Sequence, residues 1–229
     1  MKKSIIVLLT ALTLIVVFAS GFANGNNERI TDLLVADSYE KALERSDVQE
    51  VLDSKFKGVQ TMLTEEPQAF GFKSSKEVPR NVGTPYKVYK LAKIPSFFWE
   101  VPLKDDNGNI TSAIIIDKMD GNWEIVHVGL RFSPELLTFY SDDKAVKEYV
   151  KNKFKDVDVS KIRRITNFYF DGIYVKTSDQ EYIIPVTARP DLLEIQNMEV
   201  YTLDEMLLKC DKMLSQFGLD DHDSTGQNH

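Results

Sequence analysis

Residues 83–130 read GTPYKVYKLAKIPSFFWEVPLKDDNGNITSAIIIDKMDGNWEIVHVGL, and this stretch decides the fold. Phe97, Trp99, Val101 and Leu103 alternate with Phe98, Glu100 and Pro102. This period of two residues is typical of a half-buried strand. The run Ile114-Ile115-Ile116 predicts a neighbouring strand that is buried on both faces. Segments 84–91 and 123–130 are rich in the β-branched and aromatic residues that strands favour. The stretch therefore predicts an antiparallel meander of four strands.

Two turns set the pairing within this meander. Residues 105–109 have the chemistry of a turn, because Asn and Gly tolerate positive φ, and Asp120-Gly121 fits a two-residue hairpin loop. The hairpin predicts pairs between Met119 and Asn122, Ile116 and Ile125, and Ile114 and His127. One face then carries Ile114, Ile116, Trp123, Ile125 and His127, and the other carries Ala113, Ile115, Val126 and Val128. Such a sheet is covered on both faces, or is covered on one and binds a partner with the other.

Helical patterns flank the meander, and three more strands follow it. Helices are predicted within 28–42, from the capping box Ser46-Asp47-Val48-Gln49 to Glu66, from Ser141 to Phe154, and from the capping box of Thr202 and Glu205 to Gly218. Strands are predicted over 162–170, 173–177 and 181–187. Asp171-Gly172 is expected to form a second two-residue hairpin, with Phe170 facing Ile173 and Phe168 facing Val175.

This order of elements predicts the α+β class, with antiparallel β-meander sheets packed against amphipathic helices. The first module, 24–134, has a helix and four strands; the second, 135–219, has a helix, three strands and a C-terminal helix. The order resembles the small helix-plus-meander modules of exported bacterial proteins, such as PepSY-like domains and cysteine-protease propeptides. The resemblance concerns architecture, and no specific motif carries it.

The N-terminal segment, 1–23, has the basic start and apolar run of a bacterial secretory signal peptide. Gly21 and Ala23 are small residues at the positions that signal peptidase reads, which predicts cleavage before Asn24 and a secreted or cell-envelope location. The competing interpretation is an uncleaved membrane anchor, because the apolar run approaches spanning length. Residues 220–229 are polar and are expected to be a disordered tail.

The 229-residue chain has a formal charge of −7, and loss of Lys2 and Lys3 with the leader makes it more acidic. An acidic surface argues against nucleic acid as a partner and against adhesion to anionic lipid. Cys210 is the only cysteine, so no internal disulfide forms and stability depends on the packed core. Because Cys210 lies within the apolar stripe of the last predicted helix, we expect it to be a core residue.

His127 and two facing carboxylates are the candidates for a chemical site. In the predicted register His127 lies beside Ile114 and Ile125. There it either bonds backbone or solvent, or acts as a base or metal ligand with a second group nearby. Asp117 is expected to face Glu124, and like charges so placed either splay into solvent or collect a cation such as calcium.

Phe98 and Trp99 are the candidates for ligand stacking. The run Phe97-Phe98-Trp99 either stacks on a sugar or peptide, or packs its rings on alternate faces of a core strand. No phosphate-binding glycine loop, GxSxG, HExxH or CxxC pattern is present, so no catalytic residue and no cofactor is assigned.

The preferred hypothesis is a noncatalytic exported module that binds another extracytoplasmic protein or a peptide. Strand addition at an open edge, at the Pro102 strand or at 181–187, is the expected mode. A protease inhibitor or propeptide-like folding helper is a special case that the architectural resemblance implies. The alternatives are a hydrolase with a site around His127, Asp117 and Glu124, and an envelope protein tethered by an uncleaved leader.

Overall fold

A computed structural model of the chain describes residues 45–91, 96–167 and 169–216, with only the backbone at 45–47. The predicted leader, its cleavage point before Asn24, the helix within 28–42, Phe168, Gly218 and the tail at 220–229 lie outside these residues. Within the described ranges, no helix is both long and apolar enough to cross a membrane.

The elements, in chain order, confirm the α+β class. The helices are α1 (Arg45–Glu65), a short 3-10 helix (Pro67–Phe70), α2 (Pro134–Ser141), α3 (Asp143–Lys153) and α4 (Leu203–Gln216). The strands are β1 (Asn81–Val82), β2 (Tyr86–Lys90), β3 (Ser96–Lys104), β4 (Ile110–Met119), β5 (Asn122–Val128), β6 (Val159–Thr166), β7 (Asp171–Thr177), β8 (Glu181–Val186) and β9 (Tyr201–Thr202).

The described residues divide into two compact units. The first unit holds 45–90 and 96–157, and the second holds Leu91, 158–167 and 169–216. The division falls after Val157, not at the predicted module boundary between 134 and 135, because α2 packs on β4 and so belongs with the first unit. The organisation of the chain into the modules 24–134 and 135–219 stays a prediction.

The first unit is built on an antiparallel sheet in the order β5-β4-β3-β2, with β1 also paired to β3. One face of this sheet packs against α1 in a core of buried residues: Val48, Leu52, Leu63, Phe97, Trp99, Val101, Leu103, Ile114 and Ile116. On the opposite face α2 packs against β4, and α3 packs against α2; the buried residues of these two helices include Leu137, Tyr140, Val146 and Val150. Helices therefore pack with both apolar faces of the sheet.

The edge predicted to be open at Pro102 is closed, so that prediction is wrong. β3 pairs with β4 on one side and with β2 and β1 on the other, and the amide of Gly83 donates to the carbonyl of Pro102 at 2.7 Å. Pro102 falls in the gap between the β1 and β2 pairings, where a missing N–H disturbs the ladder least.

The hairpin at Asp120-Gly121 is confirmed, but the predicted pairing fails beyond it. Met119 pairs with Asn122 and Ile116 with Ile125, as expected. A β-bulge at Val126 then shifts the register, so that Ile115 pairs with His127 and Ile114 with Val128. Because an extra residue reverses the alternation of side chains, Val128 joins the α1 face and His127 moves to the opposite face.

In the second unit β6, β7, β8 and β9 form an antiparallel sheet in that order, with α4 packed on β8 and β9. The predicted hairpin at Asp171-Gly172 is wrong, because both residues lie in β7 and the turn starts at Asn167. The side-chain oxygen of Asn167 accepts hydrogen bonds from the amides of Tyr169 and Phe170, both at 2.8 Å. Ile173 therefore pairs with Arg164 instead of Phe170, and Val175 with Ile162.

The edge predicted to be open at 181–187 is covered on its outer side. β9 pairs with Tyr182 and Ile183, and the amide of Met198 donates to the carbonyl of Pro185 at 2.9 Å. The capping box at the start of α4 is confirmed, since Glu205 accepts from the amide of Thr202 and donates its own amide to the Thr202 hydroxyl. Both edges proposed for strand addition are thus occupied.

Candidate functional site

A groove of about 790 Å³ lies at one end of the sheet in the first unit. It is lined by residues 69–72, 76–77, 105–107, 111–112 and 127–130 and by Pro134. These segments are the loop after α1, the β3–β4 turn, the first residues of β4, the end of β5 and the start of α2. We call this concavity the groove.

The bulge in β5 decides on which face of the sheet His127, a lining residue of the groove, lies. Without the extra residue at Val126, regular alternation would put the imidazole on the face that packs against α1. The ring lies over Gly129, where a Cβ atom would come within 3.1 Å of Nε2. Gly129 also has a φ of +152°, so it is suited to this position on two grounds. Bulges often re-aim a side chain at a functional site.

The surroundings of His127 favour its neutral form. Although the residue is exposed, the adjacent protein removes part of its hydration, which lowers its pKa, and the guanidinium of Arg131 lowers the pKa further. The groove also holds the ammonium of Lys76 and the carboxylates of Glu77, Asp105 and Asp106. At neutral pH the imidazole is therefore uncharged and acts as an acceptor and a donor.

This lowered pKa gives a testable pH dependence. Because the folded protein binds the His127 proton less readily than the unfolded chain, stability should fall as the pH drops through the unfolded value of about 6.5. Urea denaturation at pH 8.0 and 5.5 should therefore show a smaller loss for His127→Gln than for the wild-type protein. Equal losses would contradict the lowered pKa, since the other two histidines are common to both proteins.

The three carboxylates at the groove differ in the hydrogen bonds that they accept from the protein. Asp105 accepts from the amides of Asn107 and Asn109 and from the Asn109 side chain, which lowers its pKa and holds the β3–β4 turn. Glu77 accepts from the amide of Lys73 at 2.8 Å. Asp106 is exposed and has no ion pair with the described residues. The predicted turn at 105–109 is thus confirmed, and Asp106 remains available to a ligand.

Apolar residues form another part of the groove lining, which we call the apolar wall. Phe70 is half-buried, and Leu130 keeps 43% of its surface exposed. Val128 and Pro134 line the same concavity. An exposed leucine beside an aromatic ring and a proline provides a surface on which an apolar ligand group loses contact with water.

A buried ionic cluster supports this wall, and the sequence analysis missed it. Glu100 is fully buried, accepts a hydrogen bond from the Tyr86 hydroxyl at 2.8 Å and lies 3.7 Å from Nε of Arg131. The guanidinium of Arg131 also lies 5.0 Å from the ring centres of Phe98 and Phe132. Because Arg131 follows Leu130 directly, these contacts hold the groove wall against the sheet. The register places Tyr86, Glu100, Ile115 and His127 in one row across the sheet, which hints at the cluster once the pairing is known.

Asp117 and Glu124 face each other across β4 and β5, as the hairpin predicted. Each contacts a lysine: Lys90 lies 2.5 Å from Asp117, and Lys55 of α1 pairs with Glu124. Neither carboxylate lines the groove with His127. No set of three or more His, Cys, Asp or Glu side chains in the described ranges is placed to hold a metal ion. The metal site stays a prediction, and the lysine contacts weigh against it.

Phe98 and Trp99 lie on opposite faces of β3, with 3% and 7% of their surfaces exposed. Phe98 packs in the Arg131 cluster and Trp99 in the α1 core, so neither ring offers a surface for stacking in this conformation. Cys210 is buried in α4, as expected, and burial raises the pKa of its thiol to about 12. Of the candidate binding residues, His127 alone lines the groove.

Comparison of the chain with protein-family models, with curated proteins and with solved structures finds no match.

Proposed function

We propose that this protein is a noncatalytic extracytoplasmic module that binds a peptide or an extended segment of another protein in the groove. The observation that carries the proposal is the combination of an apolar wall with ionised side chains in one concavity. Binding sites for flexible ligands have this composition, because apolar contact supplies affinity and a few polar groups set orientation. The export leader predicted at 1–23 places the ligand outside the cytoplasm.

The contacts of the groove favour binding over hydrolysis. A general base is normally oriented by a second group, yet His127 forms no side-chain hydrogen bond with any residue of the described ranges. Asp105 is occupied by the turn that it caps. The groove therefore offers recognition groups but lacks an assembled pair of catalytic side chains in the part of the chain that the structure describes.

A selection with a randomised peptide library tests the proposal. Leaderless protein should enrich peptides that bind with affinities in the micromolar range, and Leu130→Asp should weaken them by about tenfold or more, because a charge replaces apolar contact area. Met119→Asp is the matched control, because Met119 is 53% exposed and lies outside the groove. It should leave the affinities unchanged.

Two results would count against the groove as the binding site. One is a selection that enriches no peptide above background. The other is a set of peptides that bind Leu130→Asp as tightly as the wild-type protein while thermal melting shows both to be folded.

A hydrolase is the second candidate, and the position of His127 favours it. A neutral imidazole in a concavity that also holds Glu77 and Asp106 could act as a base toward a bound substrate. Screening the leaderless protein against ester, amide and glycoside substrates tests this candidate. An activity that survives His127→Ala would remove it.

Two narrower assignments remain proposals with their own tests. The inhibitor or propeptide-like role rests on the order of elements, and inhibition assays against extracytoplasmic proteases would address it. Export and tethering depend on the leader, and mass spectrometry of the mature N-terminus distinguishes them. A terminus at Asn24 supports a released protein, whereas an intact Met1 supports an anchored one.

A further inference from the structure

We infer that the groove selects cationic peptide segments, in which a Lys or Arg side chain stands near an apolar residue. This inference rests on the proposed function and specifies the chemistry of the ligand. The expected occupant is a peptide, because the groove combines an apolar wall with the carboxylates of Glu77, Asp105 and Asp106.

Negatively charged side chains outnumber positively charged ones among the residues that line the groove. Glu77, Asp105 and Asp106 are carboxylates, and Lys76 is the one lysine or arginine among the lining residues. His127 adds no charge at neutral pH, because its pKa is lowered. Carboxylates around a low-dielectric wall create a negative potential, which attracts cations and repels anionic ligands.

The groove offers a ligand two kinds of contact, an apolar surface and free carboxylate oxygens. Leu130, Phe70 and Pro134 provide the apolar surface. Asp106, which is exposed and has no ion pair within the described ranges, provides an acceptor for an ammonium or guanidinium group. Glu77 keeps one carboxylate oxygen beyond the one that accepts from Lys73. A segment that pairs an apolar residue with a basic one satisfies both kinds of contact.

The test compares peptide selections against three forms of the leaderless protein at pH 7.5 and low salt. The groove variant is Glu77→Gln with Asp106→Asn, which removes two charges and keeps one acceptor oxygen on each side chain. The control variant is Glu50→Gln with Glu148→Gln, which removes two exposed carboxylates that do not line the groove. The control keeps the net charge equal between the two variants, so general attraction of basic peptides to an acidic protein cannot explain a difference.

Peptides enriched by the wild-type protein and by the control should contain more Lys and Arg than the input library. Peptides enriched by the groove variant should lose that excess. A wild-type clone should bind the groove variant about fivefold more weakly at low salt, and the difference should shrink at high salt.

An unbiased wild-type selection, or the same cationic excess in the groove variant, would overturn the inference. If those peptides still depend on Leu130, the proposed function survives without this specificity. Failure to enrich any peptide would remove both.

Discussion

Replacing Arg131 with alanine is expected to lower the free energy of unfolding by about 3 kcal/mol, because it removes the guanidinium that lies 3.7 Å from the fully buried carboxylate of Glu100. The side chain of Arg131 is itself 17% exposed, so solvent screens the pair only in part. The hydrogen bond from Tyr86 remains and limits the loss, while the contacts of the guanidinium with Phe98 and Phe132 disappear. Urea denaturation of the leaderless protein measures the change.

Two further variants separate this explanation from a general effect of losing an arginine. Glu100→Gln combined with Arg131→Met should recover at least half of the loss, since an amide can still accept from Tyr86 and carries no charge. Arg189→Ala breaks an exposed pair with Asp191 and should cause little or no measurable change. Equal destabilisation by Arg131→Ala alone and in the double variant would show that charge burial is not the cause.

Replacing Gly172 with alanine is the second change with a large expected effect, a loss of about 2–3 kcal/mol. A Cβ atom at this position would lie 2.7 Å from the carbonyl oxygen of Ile184 in the neighbouring strand β8. Backbone atoms in a paired ladder cannot move aside as a flexible side chain can, so β7 and β8 would have to separate locally. Thermal and urea denaturation both report the loss.

Gly58→Ala is the matched control for this prediction. Gly58 lies within α1, and apart from its neighbours in the helix no atom of the described residues lies within 4 Å of the position of its added Cβ. Alanine should therefore raise the free energy of unfolding by about 0.5–1 kcal/mol, because glycine costs conformational entropy in a helix interior. Destabilisation by both substitutions to a similar extent would contradict the close approach at Gly172.

The two hairpins explain how far local sequence determines strand pairing here. At Asp120-Gly121 both residues adopt positive φ, and the turn forms where the dipeptide predicts it. At Asp171-Gly172 the same dipeptide lies inside a strand, because the side chain of Asn167 caps an earlier turn. Position 172 requires glycine because the carbonyl oxygen of Ile184 leaves no room for a Cβ atom. Ile184 is distant in sequence, so no local pattern predicts this contact.

The start of helix α2 has a recognisable sequence pattern, although no helix was predicted there. Ser133-Pro134-Glu135 combines a capping residue, a proline at the first helical position and an acidic first turn. The amide of Leu136 donates to the Ser133 hydroxyl at 3.4 Å. This helix also forms part of the groove through Pro134, so its omission concealed one wall of the site.

The groove itself was beyond local inference, because its walls come from five separate segments. His127 was singled out from the sequence, but the regular hairpin register placed it on the core face. The bulge at Val126 has no sequence signature of its own, and it moves the imidazole to the face of the sheet opposite α1. In the sequence Glu100 is one position of the alternation along residues 97–103, and its partners Tyr86 and Arg131 become neighbours only in the folded chain.

The burial of Cys210 has a practical consequence for handling this protein. A thiol with a pKa near 12 supplies almost no thiolate at neutral pH, so storage in air should not link two copies through a disulfide. Aromatic disulfide reagents and maleimides would then modify the chain only when α4 opens. The rate at which such a reagent modifies the single cysteine thiol therefore measures how often α4 opens, and no label has to be introduced by mutation.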